Sequence, residues 1–69
     1  MRSWLINIRG NKTQKAVADE CGISQNFYSW IEQGKRNPSV EVAKRIAAVL
    51  GFDWTRFFED PPEDRAVNL

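Results

Sequence analysis

The apolar positions of this chain fall into short runs separated by glycine and small polar residues, and each run carries the punctuation of a helix. Thr13 stands as an N-cap before Gln14 to Cys21, and Gly22 offers the left-handed residue that ends that helix. Ser24 caps a second helix from Gln25 to Gln33, closed by Gly34. Val17, Cys21, Ile23, Tyr28 and Ile31 are spaced to pack between and beneath this pair, and Ala18 is small where the second helix must cross the first. Ahead of the pair, Ser3 is placed to cap a helix through Arg9 that buries Leu5, Ile6 and Ile8 and ends at Gly10-Asn11. Behind it, Lys35 to Pro38 reads as a loop. Ser39 then caps a helix to Leu50 with Val40, Ala43, Ile46, Ala47 and Leu50 on one buried face, and Gly51 stops it. Phe52 and Phe57 bracket Asp53 as a hydrophobic staple around an N-cap, which predicts a last short helix from Trp54 to about Glu59. The pattern therefore predicts an all-α domain of five helices over residues 1–60. Residues 61–69, with consecutive prolines and few apolar side chains, are expected to form a mobile C-terminal tail.

Two capped helices joined by a glycine-centred turn, Thr13 to Ser39 in all, have the form of a helix-turn-helix. The residues left over at the start of its second helix, Gln25 and Asn26, are primary amides, which offer a donor and an acceptor side by side and match the N6 and N7 edge of adenine. A solvated polar helix start has the same appearance.

Charge sharpens this reading. The net charge of +1 is the sum of unlike halves: residues 1–45 carry eight Lys/Arg against four Asp/Glu, a net +4, and residues 46–69 carry two against five, a net −3. A basic front and an acidic back suit approach to a phosphate backbone from one side, although chance clustering on a solvated surface leaves the same split. With no histidine and one cysteine, a zinc site is not expected, and Cys21, on the apolar side of its helix, reads as a small buried hydrophobe. No nucleophile–base pair, phosphate-binding glycine loop or metal constellation points to catalysis, and no cofactor or small-molecule ligand is implied. The chain shows no signal-like segment or membrane span, which implies a cytoplasmic protein without membrane contact. Sixty-nine residues sit near the lower limit for an unaided core, so dimerisation would help.

Over roughly Leu5 to Asp60 the chain resembles the phage Cro and repressor-type helix-turn-helix domains, also called the XRE family. The resemblance rests on Thr13-Gln14, Val17-Ala18, Gly22-Ile23-Ser24, Ile31-Glu32, the run Gly34-Lys35-Arg36-Asn37-Pro38-Ser39, and Leu50-Gly51 followed by Phe57-Phe58. It implies a compact lambda-repressor-like bundle of five helices and sequence-specific binding of double-stranded operator DNA as a dimer, hence transcriptional regulation, with repression the usual outcome.

In this motif the second helix lies in the major groove with its N-terminal residues at base edges, while the first crosses the backbone. Gln25 and Asn26 are then the leading base readers, with Ser29 and Trp30 one turn further on the same face. An exposed Trp30, where the family commonly has a polar or basic residue, is equally placed to pack on a thymine methyl, to fold back over the bundle or to cover a partner surface. Phe27 reads as edge packing ahead of a DNA contact. Gln14, at the N-terminus of the first motif helix, and Lys35, Arg36 and Asn37 in the loop after the recognition helix are the expected phosphate contacts, with Arg9, Lys12, Lys15, Lys44 and Arg45 weaker candidates. Phe52, Trp54, Phe57 and Phe58 are the candidate surface for a weak homodimer on a near-palindromic site, since the family usually pairs through this end. Some domains of this fold instead serve as protein-interaction modules or antitoxin-type partners, and Phe27, Trp30, Trp54, Phe57 and Phe58 are the residues such a role would use.

Two positions depart from the family. The glutamate corresponding to Glu32 often pairs there with an arginine of the first helix, but the aligned residue here is Asn7, and Arg9 lies about 200° round the helix from it. Glu32 is therefore expected to accept from loop N–H groups or to face solvent. Lys12 replaces a usual apolar residue before Thr13, so the first connection is expected to pack more loosely.

Overall fold

The computed structural model describes residues 1–59; the expected tail over 61–69 lies outside them. The described residues form five helices and no strand: α1 (Ser3–Arg9), α2 (Gln14–Cys21), α3 (Gln25–Gln33), α4 (Val40–Leu50) and α5 (Arg56–Glu59). Each of the three central helices starts where a side-chain oxygen takes an otherwise orphaned N–H. Thr13 accepts from the Ala16 N–H at 3.0 Å, Ser24 from Phe27 at 3.0 Å and Ser39 from Val42 at 3.2 Å. Gly22 ends α2 at φ +73°, where its N–H and that of Ile23 return to the last turn, so the chain reverses into α3 without a strained side chain.

α2 packs against both α3 and α4, and α1 lies on α3. Leu5, Val17, Ala18, Cys21, Tyr28, Ile31, Ala43, Ile46 and Phe57 form one continuous buried cluster. Ala18 is buried on α2 between its neighbours, as the close crossing requires. Cys21 is the buried apolar residue that its position suggested, and burial pushes its thiol pKa up, away from the thiolate form.

Four local expectations are corrected. Ser3 is the first residue of α1 and does not cap it; Arg2 occupies the cap position, with no side-chain hydrogen bond to the helix end. Val40 is exposed, because α4 begins outside the packed layer and enters it only at Ala43, while Val42 lies partly buried against the core instead. α5 starts at Arg56 and not at Trp54: Asp53 Oδ1 accepts from the Thr55 N–H at 3.0 Å and from the Thr55 hydroxyl at 2.8 Å, which holds residues 53–55 as a turn. Tyr28 is buried whole, hydroxyl included, and not at the rim.

The Phe52–Phe57 contact forms with ring centroids 5.6 Å apart, and Trp4 completes it edge-on at 5.2 Å from Phe52 and 5.3 Å from Phe57. This aromatic trio joins the first and last helices of the chain. Replacing Ser24 with Ala should cost about 1 kcal/mol by leaving the Phe27 N–H without its acceptor. Thermal unfolding should show it as a drop in Tm of about 4–8 °C, with an unchanged Tm refuting the capping role.

Candidate nucleic-acid interface

The candidate face is built on α3 and the loop that follows it. Ser24 starts α3 so that Gln25 and Asn26 stand in its first turn with both amides exposed, as expected of groups that meet a ligand. Ser29 is half-buried, and its hydroxyl accepts from Gln33 Nε2 at 2.9 Å. Gln25, Ser29 and Gln33 thus stand in one row at four-residue spacing, and Gln33 extends the polar row one turn beyond the residues singled out from the sequence. Asn26 and Trp30 form the adjacent row. Phe27 is half-buried against the core, in keeping with edge packing.

Glu32 fixes the orientation of this face. Its carboxylate is only 2% exposed yet receives three hydrogen bonds: Arg9 Nε at 2.6 Å, Arg9 Nη2 at 3.2 Å and Gln14 Nε2 at 2.8 Å. Burial alone would raise its pKa, but the hydrogen bonds from Arg9 and Gln14 outweigh burial and hold it below the usual carboxylate value; the same contact raises the Arg9 pKa. The Tyr28 hydroxyl lies beside the carboxylate without completing a hydrogen bond, and burial, reinforced by Glu32, pushes its pKa far above the usual phenol range.

The expectation that Glu32 would face solvent or loop N–H groups is therefore wrong: the family's pairing with an arginine of the first helix is made, by Arg9. The 200° offset sets where the Cα–Cβ bond points, not where a long stem can reach. Arg9 is the last residue of α1, so no following turn obstructs its side chain as it curls back. Its Nη1 also donates to the Lys12 carbonyl at 2.7 Å, so the α1–α2 connection is tied down despite the polar residue at position 12.

Arg2, which the sequence did not single out, grips the backbone at the same C-terminal end of α3. It is buried and donates through Nη1 to the carbonyls of Ile31 (2.6 Å) and Arg36 (3.3 Å) and through Nη2 to Asn37 Oδ1 (2.6 Å), with its guanidinium 5.5 Å from the Phe57 ring centre. Its backbone N–H donates to the Glu32 carbonyl at 2.7 Å. The only signal in the sequence was an arginine set before an apolar helix, which says nothing about contacts some thirty residues away.

The cations separate into two groups. Lys12 pairs with Glu20, Lys15 with Asp19 and Arg45 with Glu41, while Lys44 sits over the Trp54 ring. Lys35 and Arg36 meet no carboxylate within ion-pair distance among the described residues; both are exposed, and Arg36 stacks on Trp30 with 5.5 Å between the guanidinium and the ring centre. Asn37 is exposed but has its oxygen engaged by Arg2. Gln14 has its amide N–H turned inward to Glu32, which leaves the N–H groups of the first turn of α2 as the donors at that helix end.

At the far end, Phe57 is 3% exposed and belongs to the core, so it offers no surface to a second chain. Phe58, 46% exposed, stacks edge-on with half-buried Trp54 at 6.0 Å, and these two with half-buried Phe52 keep open surface. Among the described residues no helix is long and apolar enough to cross a membrane, and no His, Cys, Asp or Glu cluster could hold a metal ion.

A helix-turn-helix family model matches residues 5–57, from α1 through the start of α5. The chain is 52% identical over 62 residues to an uncharacterized HTH-type transcriptional regulator, YqaF, of Bacillus subtilis strain 168, covering 87% of this chain and 82% of the relative. It is 36% identical over 59 residues to control protein C.MunI of a Mycoplasma species, covering 81% and 80% of the two chains. No solved structure matches it significantly.

The depressed Glu32 pKa makes stability depend on pH. A carboxylate of lowered folded pKa contributes stability that is complete above its unfolded pKa, about 4.3, and is lost as pH falls through the folded value. Glu32→Gln should cost about 2 kcal/mol at neutral pH, where the ion-assisted hydrogen bonds are lost, and should flatten the loss of stability below about pH 4.5. Urea unfolding of both proteins from pH 7 to pH 3 measures this, and parallel acid limbs would refute the assignment.

Proposed function

The chain belongs to the XRE-family helix-turn-helix proteins, a family of DNA-binding transcriptional regulators, and we propose that it acts as a repressor that reads operator half-sites with α3 in the major groove. The observation that carries this reading is the exposed amide pair Gln25 and Asn26, flanked by two cations that no carboxylate among the described residues neutralises, Lys35 and Arg36. A cation free of internal partners is available to a phosphate, whereas Lys12, Lys15 and Arg45 would first have to give up theirs. Gln25 and Asn26 read bases, with Ser29 and Trp30 deeper along the helix. Lys35, Arg36 and the first-turn N–H groups of α2 at Gln14 hold phosphates on either side, while Asn37 serves by anchoring the loop to Arg2. The relative named as a control protein supports a regulatory role.

One recognition helix spans only a few base pairs, so two copies are needed for a useful site length. The open surface of Trp54, Phe58 and Phe52 is the proposed contact between them, giving a weak dimer on a near-palindromic operator with half-sites about 34 Å apart.

Gln25→Ala and Asn26→Ala should each lose about 1–3 kcal/mol of discrimination at a distinct base pair, with non-specific affinity nearly unchanged. Selection from a randomised duplex library reads this out, and an unaltered selected motif in both variants would overturn the assignment. Lys35→Ala should weaken all duplexes alike and reduce the slope of log affinity against log salt by about one unit per subunit, from about −5 for roughly six neutralised phosphates. Sedimentation with duplexes carrying one or two half-sites tests assembly: two chains on the longer site with higher affinity supports the dimer, and equal affinity with one chain on each removes it.

A further inference from the structure

Three tryptophans in so small a domain invite comparison. Trp4 is enclosed by Phe52, Phe57 and the Arg56 guanidinium 4.6 Å from its ring centre, and Trp54 lies between Phe58 and the Lys44 ammonium. Trp30 is different. It remains 40% exposed, and among the described residues its one aromatic-face partner is Arg36. The loop holds that arrangement: the Lys35 and Arg36 N–H groups both donate to the Trp30 carbonyl, at 2.9 and 3.3 Å, and the Arg36 carbonyl is in turn gripped by Arg2. Trp30 keeps more open surface than the other two. It lies one turn beyond Asn26, on the face of α3 that carries the amide readers, with part of its ring open and a guanidinium stacked over it.

Resting on the reading of α3 as the recognition helix, we infer that Trp30 is a specificity-determining residue that recognises a thymine through its C5-methyl group. Most of what base pairs display in the major groove is polar, donors and acceptors that an indole face cannot satisfy; the thymine methyl is the apolar exception. An exposed indole face gains by leaving water for an apolar group, whereas against a polar base edge it would leave that edge's donors and acceptors desolvated and unpaired. With Asn26 suited to adenine N6 and N7, the Asn26–Trp30 row specifies an A·T-containing stretch in which the adenine is read by an amide and a thymine, about one helical turn of α3 further on, is read by contact. Arg36, stacked on the ring, is thereby aimed at the sugar–phosphate edge beside that thymine.

The test uses the whole chain and its preferred duplex from library selection, with each thymine replaced in turn by deoxyuridine, which removes only the methyl. One thymine in each half-site should show a loss of affinity of about fourfold, the worth of one buried methyl. Trp30→Ala should bind the unmodified duplex more weakly and show no further loss on that replacement, while Trp30→Phe, which keeps an apolar ring, should retain part of the methyl dependence. Thermal unfolding of both variants checks that they remain folded, as an exposed position allows. A duplex in which no thymine depends on its methyl, or a penalty that persists unchanged in folded Trp30→Ala, overturns the inference while leaving DNA binding intact. Absence of salt-dependent duplex binding by the unmodified protein would instead remove the recognition reading itself.

Discussion

A buried carboxylate surrounded by donors from two other helices organises this domain. Glu32 is the penultimate residue of α3, and its partners come from the end of α1 and the beginning of α2. Three helices are therefore referenced to one pair of oxygen atoms. An apolar residue of similar volume could fill the space, but apolar contacts are non-directional and leave α3 free to roll by several degrees against its neighbours. Hydrogen bonds at 2.6 and 2.8 Å do not. Ionisation of Glu32 is tolerated in the interior because both carboxylate oxygens are met by donors, one of them the Arg9 guanidinium, which offsets the desolvation loss of burial. The roll of α3 is what places Gln25 and Asn26 outward.

The backbone at this same C-terminal end of α3 is held by a different device. Arg2 collects the carbonyls of Ile31 and Glu32 and of Arg36 in the loop beyond, so that the segment bearing Lys35 and Arg36 is held in a defined position as it leaves the helix at Gly34. Both clamps depend on arginines near the chain start, and both act across the long sequence separation between α1 and α3. The aromatic trio of Trp4, Phe52 and Phe57 adds a third attachment of that first helix, this time to the end of the fold. α1 is short and has no side-chain N-cap, so its place is set by these contacts more than by intrinsic helicity.

What the sequence made legible follows from this division between local and distant causes. Helix existence, the glycine stops and the capping oxygens of Thr13, Ser24 and Ser39 are decided within four residues and appear as spacing. The exposed amides could be placed for the same reason, since a first-turn residue of a capped helix has few places to go. Contacts made by long side chains were another matter. Arg2 and Arg9 reach partners 29 and 23 residues away, and helical angle alone does not limit a flexible stem. The depth of Tyr28 and the exposure of Val40 were misjudged because periodicity marks a face without saying where along the helix the neighbouring layer begins.

The division of labour within α3 has a consequence for how the protein can change. Tyr28, Ile31 and Glu32 carry its attachment to the body, whereas Gln25, Asn26 and Gln33 bear none of that load, being exposed and outside the buried cluster. Substitutions at the second group alter the chemical lettering of the surface while the first group continues to hold the helix at the same height and roll. New targets are then reachable by exchanging a few side chains one at a time, through intermediates that all remain folded. Drift in what is recognised is decoupled from drift in what is stable.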